Sequence, residues 1–569
     1  MLRNSNNIKI NRKRIYFLFI LFSITFLLII YRLVFIQYLN ASEFKSYAEF
    51  QHIGEFVLNS KRGKILDRNG VELAISLNER TVCANPKLVV DSEYESKILA
   101  EILELDVENV KEKLDSKDLG FVYIQRKVST EKAEKIVEYS LPGIYFQNEA
   151  RRYYPLNNIA ASVIGFAGVD NNGLAGIELQ YEKVLRGVDG KAITEKDVFG
   201  NIIPGENNTY IEPVDGKDIV LTIDSQIQYI AQEKLEEIVS EFKALRAISI
   251  VMNPKSGEIY SMAAYPGFDL NSYQEADPEL YKISGISFTY EPGSTFKIIN
   301  VASAIENNTV GKDQLFDLAP SIKVGDRVIK ELFRTYNINY TTKEIIKYSS
   351  NVGAVTIALS MGEKTFWESM KNFGFGEITG IEIPGEEKGL FYDYKTWPAS
   401  TIGALAIGQN ISVTPLQLLR AVCAIANGGY LVTPSIVKEV KLLENVEDDE
   451  LQMEQRNRIL SSETADALKD MMLAVVEGGT GTRAQIDGVK VCGKTGTAEK
   501  VNKNRIGYDE GRQITSFIGF APYKDPEIAI IVVVDEPQGE KNAIWGGTVA
   551  APVFRDIMEF SLKKLKVCQ

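Results

Sequence analysis

The sequence predicts an α+β protein with three parts. These are a single N-terminal transmembrane helix, an elongated mixed α/β pedestal module, and a C-terminal domain with an antiparallel sheet between helices. Three observations predict it: a long apolar run near the N-terminus, a Pro/Gly-rich stretch after residue 203, and strand-like segments that enclose a helical middle beyond it. With 569 residues, 45% of them hydrophobic, the chain can fold as two or three domains. The expected boundaries are 1–14 for a basic tail, 15–39 for the anchor, 40–217 for the pedestal and 218–569 for the C-terminal domain.

The anchor is predicted from an apolar run without charges. No charged residue occurs from Ile15 to Tyr31, and the apolar run resumes after Arg32 as far as Leu39. At 1.5 Å per residue this stretch can span a hydrocarbon core of about 30 Å, with Arg32 near one end. The Lys/Arg cluster upstream favours a cytoplasmic N-terminus, so the rest of the chain is expected outside the cytoplasm. A cleaved signal peptide is the alternative, but its apolar part is usually only about 7–15 residues long.

Charge and residue usage exclude several classes of function. The formal charge is −12, of which residues 1–14 contribute +5, so the remainder carries −17 and does not suit nucleic acid. The cysteines are far apart in sequence, so neither a zinc site nor a dense disulfide framework is indicated, and no metal or cofactor is expected. The only histidine, His52, lies near the membrane. A catalytic base farther along the chain is therefore expected to be Lys, Asp, Glu or Tyr. The cysteines are Cys83, Cys423, Cys492 and Cys568.

The pedestal region alternates turns with short periodic segments. Asn69-Gly70 between apolar stretches predicts a tight hairpin. Residues 90–140 carry helical patterns, and residues 151–190, rich in Gly, Tyr and Pro, are interpreted as short strands and turns. The stretch from Pro204 to Pro213 is the best linker candidate.

The C-terminal region begins with a strand pattern at Ile219–Ile223. Asp224 or Ser225 is then expected to cap a helix. Further strand patterns lie near both ends of this region, and helical patterns fill the space between them, which predicts one antiparallel sheet packed between helices. Those strand patterns are Ala247–Met252, Glu258–Ala263, Ile514–Phe520 and Ile528–Val534.

The first candidate for chemistry is the segment Ser294-Thr295-Phe296-Lys297. Pro292-Gly293 breaks the incoming chain, and the apolar residues that follow predict a buried helix. A serine in its first turn would benefit from the helix dipole, and Lys297, three residues on, shares its face. A buried lysine near another cation has a lowered pKa and can accept the serine proton. Ser-x-x-Lys occurs six times in the chain, but only this copy combines the breaker with a buried helix.

Two further segments complete the candidate site. In Ser349-Ser350-Asn351, Ser349 can relay a proton and Asn351 can bind an amide, although a helix-capping role is the alternative. Lys494-Thr495-Gly496-Thr497 follows a strand-like stretch and offers positive potential for a carboxylate, two hydroxyls and close backbone approach at Gly496.

A rival pattern overlaps the last segment. Gly488 to Thr495 matches the spacing of a phosphate-binding P-loop, Gly-x-x-x-x-Gly-Lys-Thr. That loop requires a helix directly after it, with phosphate at the helix N-terminus. The residues before Lys494 are strand-like and those after it are polar, which favours the first interpretation.

Taken together and in this order, the three motifs resemble the active-site triplet of penicillin-binding proteins and serine β-lactamases. The anchor, the Arg62–Gly70 stretch and the Gly165–Glu178 region are similar to the class B penicillin-binding proteins. Arg151–Pro155 and Gly168–Asp170 resemble the division and sporulation branch more than the elongation branch. The resemblance implies a penicillin-binding transpeptidase domain over 218–569 and a dimerisation role for the pedestal.

The resemblance also implies a reaction. Ser294 would attack the D-Ala–D-Ala carbonyl of a peptidoglycan stem peptide, with Lys297 as general base and Ser349 as proton relay. Asn351 would orient the peptide amide. The terminal carboxylate would bind Lys494, Thr495 and Thr497, beside Gly496. β-Lactams would acylate Ser294 in the same way.

Partners and alternatives follow from the same resemblance. It implies a single-pass protein with its catalytic domain outside the cytoplasm, in contact with a membrane lipid-II polymerase and division proteins. The alternatives are an elongation-branch transpeptidase, a D,D-carboxypeptidase or β-lactamase with water as acceptor, and a non-catalytic β-lactam sensor.

Overall fold

The computed structural model describes residues 12–40, 53–196, 202–203, 209–332, 334–440, 457–501, 507–540 and 544–567. His52, Cys568 and most of the predicted basic tail lie outside these residues. The chain divides into two compact units. One runs to Ser60 and includes Val188–Val214, and the other comprises Lys61–Gly187 and the chain from Asp215 onwards.

The strands are β1 (Ile53–Leu58), β2 (Ile65–Leu66), β3 (Glu72–Ala84), β4 (Val122–Val128), β5 (Ile144–Tyr153), β6 (Gly190–Lys196), β7 (Ile202–Ile203), β8 (Thr209–Ile211), β9 (Ile219–Leu221), β10 (Arg246–Met252), β11 (Ile259–Tyr265), β12 (Leu315–Leu318), β13 (Ser321–Val324), β14 (Arg327–Lys330), β15 (Ile338–Thr341), β16 (Tyr430–Leu431), β17 (Val437–Val440), β18 (Asn457–Arg458), β19 (Cys492–Val501), β20 (Tyr508–Ala521) and β21 (Ile528–Asp535).

The α-helices are α1 (Arg12–Val34), α2 (Ser92–Leu103), α3 (Val107–Asp115), α4 (Thr130–Tyr139), α5 (Ala161–Ile164), α6 (Gly176–Gln180), α7 (Glu182–Leu185), α8 (Ser225–Phe242), α9 (Ser284–Ser287), α10 (Lys297–Glu306), α11 (Thr342–Lys347), α12 (Asn351–Met361), α13 (Glu363–Asn372), α14 (Thr401–Ala406), α15 (Pro415–Ala426), α16 (Ser462–Gly478) and α17 (Ala550–Lys564). A π-helical turn, Phe35–Leu39, continues α1, and 3-10 turns occur at Pro86–Leu88, Leu270–Glu275, Pro278–Tyr281, Gly293–Phe296, Tyr394–Thr396 and Thr482–Ala484.

The first unit contains the apolar helix and a small sheet. From Arg12 to Tyr38 the helix is long and apolar enough to cross a membrane, and none of it is buried within the protein. In the sheet, β6 pairs antiparallel with β1, β7 and β8. The helix is the expected anchor of a single-pass membrane protein.

The pedestal part of the second unit is built on a six-stranded sheet. Its main path is β17-β9-β2-β3-β4, and β5 also pairs with β3. The predicted hairpin is present: β2 and β3 are antiparallel, and the turn between them closes through an Asp67 N–H to Val71 O bond of 2.8 Å. Helices α2, α3 and α4 cover β3 and β4 with a separate apolar core that includes Leu99, Leu114 and Ile136. The helical prediction for residues 90–140 is therefore confirmed in large part.

A five-stranded sheet carries the candidate site. Its order is β11-β10-β21-β20-β19, and every neighbouring pair is antiparallel. β21 is buried along its whole length because its alternate side chains face two different covers. Ile530 and Val532 pack with α8 and α17, whereas Ile531 and Val533 join the core that contains α10 and α15. The predicted antiparallel sheet between helices is confirmed, and no described strand pairs with the outer edge of β19.

Two local predictions are wrong. Residues 151–190 contain the end of β5 and then mostly turns and the short helices α5, α6 and α7, not a series of strands. Their glycines serve close packing, since a β-carbon on Gly165 would lie 1.9 Å from Ala175 O. The predicted linker is also structured where it is described, because Thr209–Ile211 forms β8; residues 204–208 lie outside the described residues.

The strand predicted at Ile219–Ile223 is present but joins the pedestal sheet. It ends at Leu221 and pairs parallel with β2 and antiparallel with β17. Asp224 caps α8 as predicted, accepting bonds from the N–H groups of Gln226 and Ile227.

Candidate active site

The predicted nucleophile lies in a tight turn that leads into a buried helix. Gly293–Phe296 forms a 3-10 turn, and α10 begins only at Lys297. Ser294 therefore precedes the α-helix. The prediction that it lies in the first turn of that helix is wrong. Ser294 is half-buried, and its hydroxyl makes no hydrogen bond with any described residue.

A glycine brings this turn against the edge strand of the sheet. Gly293 has a φ of +58°, which favours glycine, and its N–H donates to Gly408 O at 3.0 Å. A β-carbon at this position would lie 2.9 Å from Thr497 O. The glycine thus lets the Ser294 turn lie directly beside β19.

Lys297 is fully buried and points at the second motif. Its Nζ donates to Ser349 O at 2.7 Å and to Asn351 Oδ1 at 2.6 Å, and it lies 3.3 Å from Ser349 Oγ. The first two oxygens are acceptors, so they can use both N–H bonds of a neutral amine and leave its lone pair free for a proton. Burial lowers the pKa of Lys297 to about 7, against the opposing effect of the Glu331 charge. The amine is therefore suited to general base catalysis near neutral pH.

The Ser349–Asn351 motif is a turn at the start of α12. Ser349 adopts a left-handed conformation with φ +58°. Ser350 is the N-cap of α12, its hydroxyl accepting a bond from Gly353 N at 3.0 Å. The capping role considered for this motif thus belongs to the middle residue. Ser349 and Asn351 are left to face Lys297.

Lys494 approaches the same hydroxyl from the edge strand. It is fully buried, and its Nζ donates to Ser349 Oγ and to Thr495 O, both at 3.0 Å. Burial, together with the nearby Lys297 ammonium, lowers the pKa of Lys494 well below its ordinary value. Two lysines therefore bracket one serine hydroxyl.

The motif around Lys494 lies within a strand. It was expected to follow one. β19 includes Lys494–Thr497 and continues to Val501, so no helix follows, and the P-loop alternative is wrong. Alternation along the strand turns the side chains of Thr495 and Thr497 away from that of Lys494. Thr495 Oγ1 shares a hydrogen bond of 2.8 Å with Thr480 Oγ1, and Thr497 Oγ1 accepts from Gly546 N at 3.1 Å. A ligand lying along the outer edge of β19 could therefore contact side chains from both faces of the strand.

Gly496 lies where β19 passes the nucleophile turn. A β-carbon there would lie 2.3 Å from Ser516 Oγ and 2.9 Å from Thr295 Cγ2. The absence of a side chain keeps β19 close to the turn that carries Ser294. The eight residues predicted for the site are therefore brought together at one place in the structure.

Two features of the site were missed by sequence reasoning. Glu331 binds the Ser349–Asn351 turn through its carboxylate, and its position outside any motif offered no signal. A largely apolar cavity of about 680 Å³ adjoins the site, between the residues that precede Ser294 and those that follow Thr497. Its lining comes from distant parts of the chain and includes Phe288, Tyr290, Glu291, Tyr392, Trp397 and Glu499.

A serine turn, two buried lysines around one hydroxyl and a glycine in an adjacent edge strand together offer a nucleophile, a nearby base and close backbone approach, the features of a serine acyl-transfer site. Comparison with known proteins narrows this class. Residues 247–559 match the penicillin binding protein transpeptidase domain, and residues 57–221 match the penicillin-binding protein dimerisation domain. The chain belongs to the penicillin-binding protein transpeptidase family.

Relatives with known names span almost the whole chain. It is 36% identical to stage V sporulation protein D of Bacillus subtilis, over 98% of this chain and 86% of that protein. It is 30% identical to peptidoglycan D,D-transpeptidase FtsI of Escherichia coli, over 90% of this chain and 84% of that protein.

Solved structures share the fold over a similar length. A peptidoglycan synthetase from Bifidobacterium adolescentis superposes with a TM-score of 0.72 at 25% identity, covering 90% of this chain and 97% of that one. Penicillin binding protein 3 from Mycobacterium tuberculosis, complexed with aztreonam, gives a TM-score of 0.69 at 26% identity, with coverages of 90% and 98%.

Proposed function

We propose that this protein is a peptidoglycan D,D-transpeptidase that cross-links stem peptides through an acyl-enzyme on Ser294 and is inhibited covalently by β-lactams. The observation that carries the proposal is the meeting of Lys297 and Lys494 at Ser349 Oγ, beside the Ser294 turn. The names of the relatives, a peptidoglycan D,D-transpeptidase and a sporulation protein, support it.

The first half-reaction transfers an acyl group to the enzyme. Ser294 Oγ attacks the carbonyl between the two D-alanines while the lone pair of Lys297 takes the hydroxyl proton. The backbone N–H groups of Ser294 and Thr497 stabilise the oxyanion. One such donor contributes about 10²–10³ in rate in related acyl transfers. The proton taken up by Lys297 passes through Ser349 to the departing amine. The C–N bond breaks, D-alanine leaves, and an ester remains on Ser294.

The second half-reaction forms the cross-link. An amine of a neighbouring stem peptide attacks the ester carbonyl and loses a proton to Lys297. The C–O bond to Ser294 breaks, the serine regains a proton, and a new amide joins the two stems. Water in place of the amine would give a carboxypeptidase or, with a β-lactam, a β-lactamase.

Substrate binding is assigned to the remaining predicted residues. The terminal carboxylate of the stem peptide binds Lys494 and the hydroxyls of Thr495 and Thr497 at the edge of β19. A bound carboxylate would stabilise the Lys494 ammonium and raise its lowered pKa. Asn351 orients the peptide amide, and Gly496 permits the backbone to approach.

The protein is proposed to act during septal wall synthesis, in division or sporulation. Arg12, Lys13 and Arg14 at the start of α1 favour a cytoplasmic N-terminus and a catalytic domain outside the cytoplasm. Residues 40–217 serve as the pedestal and residues 218–569 as the transpeptidase domain. The anchor and pedestal are the proposed contact surface for a lipid-II polymerase and division proteins.

The test labels the full-length protein in detergent with a fluorescent penicillin and maps the adduct by mass spectrometry. We expect a long-lived adduct on Ser294, and no labelling of Ser294→Ala. Cells that carry only Ser294→Ala should lose the cross-links that this protein makes. An adduct elsewhere would overturn the site. Rapid turnover of penicillin would favour a β-lactamase or carboxypeptidase, and intact cross-linking in Ser294→Ala cells would favour a β-lactam sensor.

A further inference from the structure

The carboxylate of Glu331 binds several groups at the start of α12. It directly follows β14 and lies at least 18 residues before the turn it binds. One carboxylate oxygen accepts from Ser350 Oγ at 2.5 Å and from Val352 N at 2.9 Å, and the other accepts from Asn351 N at 3.3 Å. Three donors of one turn therefore converge on a single carboxylate.

These bonds satisfy unpaired N–H groups at the N-terminus of α12, the helix that carries Asn351. The first N–H groups of a helix have no partner within it and carry partial positive charge. Ser350 takes one of them, at Gly353, and Glu331 takes two more. The amide of Asn351 is fixed as well, because its Nδ2 donates to Lys330 O at 3.0 Å and its Oδ1 is thereby left to face Lys297 at 2.6 Å.

Glu331 is itself held in place. Arg334 Nη2 lies 3.5 Å from its carboxylate, and the two side chains are only 9% and 10% exposed. Arg334 is anchored by the backbone oxygens of Leu318 at 2.8 Å and Ala319 at 3.0 Å. The carboxylate is therefore a buttressed part of the site and not a mobile surface group.

We propose, on the basis of the proposed function, that Glu331 is a positioning residue for acylation: its carboxylate clamps the Ser349–Asn351 turn against Lys297 and places a negative charge that acts on that amine. The clamp sets the distances from Lys297 to Ser349 and Asn351. The charge opposes burial, which disfavours the ammonium form of Lys297. Arg334 is the cation that faces Glu331, and Tyr340 is a further titratable group within its electrostatic reach.

Glu331→Gln weakens the clamp and removes the charge, and the pH–rate profile tells these two effects apart. Glutamine keeps one acceptor oxygen, but its NH₂ group would face the N–H of Asn351, so the turn loosens and the limiting acylation rate should fall about 10- to 100-fold. Loss of the negative charge should lower the pKa of Lys297. The acid limb of the pH–rate profile should therefore move to lower pH, while a purely structural defect would lower the rate and leave the limb in place.

The measurement is the second-order rate of labelling of the full-length protein by a fluorescent penicillin between pH 5 and 9, with thermal unfolding as a check on folding. The matched control is Glu386→Gln. Glu386 also caps a turn, accepting from Thr379 N at 2.7 Å, Thr379 Oγ1 at 2.5 Å and Gly380 N at 3.2 Å, and none of these partners belongs to the site.

We expect the control to keep the rate and the acid limb of the unmodified protein. The proposal is overturned if the acid limb of Glu331→Gln stays where it is, or if both substitutions change the profile alike. Failure of the proposed function is distinguishable, because the unmodified protein would then form no adduct at Ser294.

Discussion

Two clusters of buried charged side chains lie in this chain, one in the pedestal and one at the candidate site, and they differ in how charge is compensated. In the pedestal, Arg62 and Arg152 bind the two oxygens of Glu178 at 2.7 and 2.6 Å, with side chains at most 2% exposed. At the site, Lys297 and Lys494 meet at one hydroxyl, and no carboxylate among the described residues forms an ion pair with either.

The difference teaches what each cluster is for. Opposite charges in contact tie segments of the pedestal together, since Arg62, Arg152 and Glu178 come from separate parts of the chain. At the site, burial lowers the pKa of Lys297 to about 7, and burial together with the Lys297 charge lowers that of Lys494, which favours a neutral amine that can take a proton. We interpret the first arrangement as structural and the second as suited to proton transfer.

The largest effect is expected when the reactive cluster, Lys297 and Lys494 at the candidate site, loses Lys297, its proposed base. Lys297→Met should reduce the rate of penicillin labelling by about 10²–10⁴, the usual contribution of a general base. It should leave the midpoint of thermal unfolding unchanged or higher, because an apolar side chain of similar size replaces a buried amine. Lys343→Met, which removes an exposed lysine, is the control and should change neither quantity. A labelling rate within tenfold of the unmodified protein would show that another group takes the proton.

The paired cluster, formed by Arg62, Arg152 and Glu178 in the pedestal, should respond in the opposite way: its loss should affect stability and not labelling. Glu178→Ala leaves two buried guanidinium groups without their shared carboxylate and should cost about 3–5 kcal/mol in the free energy of unfolding. Labelling of Ser294 per folded molecule should remain, because Glu178 makes no contact with the site residues among the bonds described. Thermal unfolding and labelling at a temperature below the transition check both statements.

Glu182→Ala is the matched comparison for Glu178→Ala. Glu182 also binds Arg62, at 2.6 Å, but its side chain is 25% exposed. Its removal should therefore cost less than that of Glu178. An equal or larger loss would mean that burial does not decide the contribution of this cluster.

How much of this contrast could be predicted depends on how local the signal is. The apolar anchor and most sheet strands follow from periodicity within a few residues. The three motifs are also short, and their resemblance to a known triplet placed them in one site. The resemblance placed Lys494 in the same site, but its meeting with Lys297 at Ser349 needed the fold, since Ser349 lies 145 residues before Lys494.

The features that were missed depend on long-range pairing. β9 pairs with β2 across about 154 positions of the chain, which no local pattern of Ile219–Ile223 encodes. Glu331 resembles any exposed glutamate in sequence and gains its role only through the turn at Ser350. The 3-10 turn at Ser294 begins at Gly293, whose N–H donates to Gly408 O, a contact that also lies outside the local pattern.

A smaller effect than those of the substitutions at Lys297 and Glu178 is expected from pH, and it should be confined to the reactive cluster. Lys297 has a pKa of about 7 because of burial, and its neutral form is the proposed base. Labelling should therefore be near its plateau above pH 8 and should fall about tenfold per pH unit below pH 7 as the amine is protonated. The measurement is the second-order labelling rate in buffers of constant ionic strength. A flat profile between pH 5.5 and 8 would contradict the assignment of Lys297 as the base.

The smallest effect is expected for an ion pair in the same pedestal that lacks burial. Lys64, directly before β2, and Glu72, at the start of β3, lie 2.7 Å apart, but their side chains are 51% and 43% exposed. Water and salt screen such a pair, so Glu72→Gln should change the free energy of unfolding by less than about 1 kcal/mol, and by less still at high salt. Glu178→Gln, made in parallel, keeps the size of its side chain and should cost several times more. If the two substitutions cost the same, burial is not what distinguishes the paired cluster, and its contrast with the lysines at the site would have to rest on pairing alone.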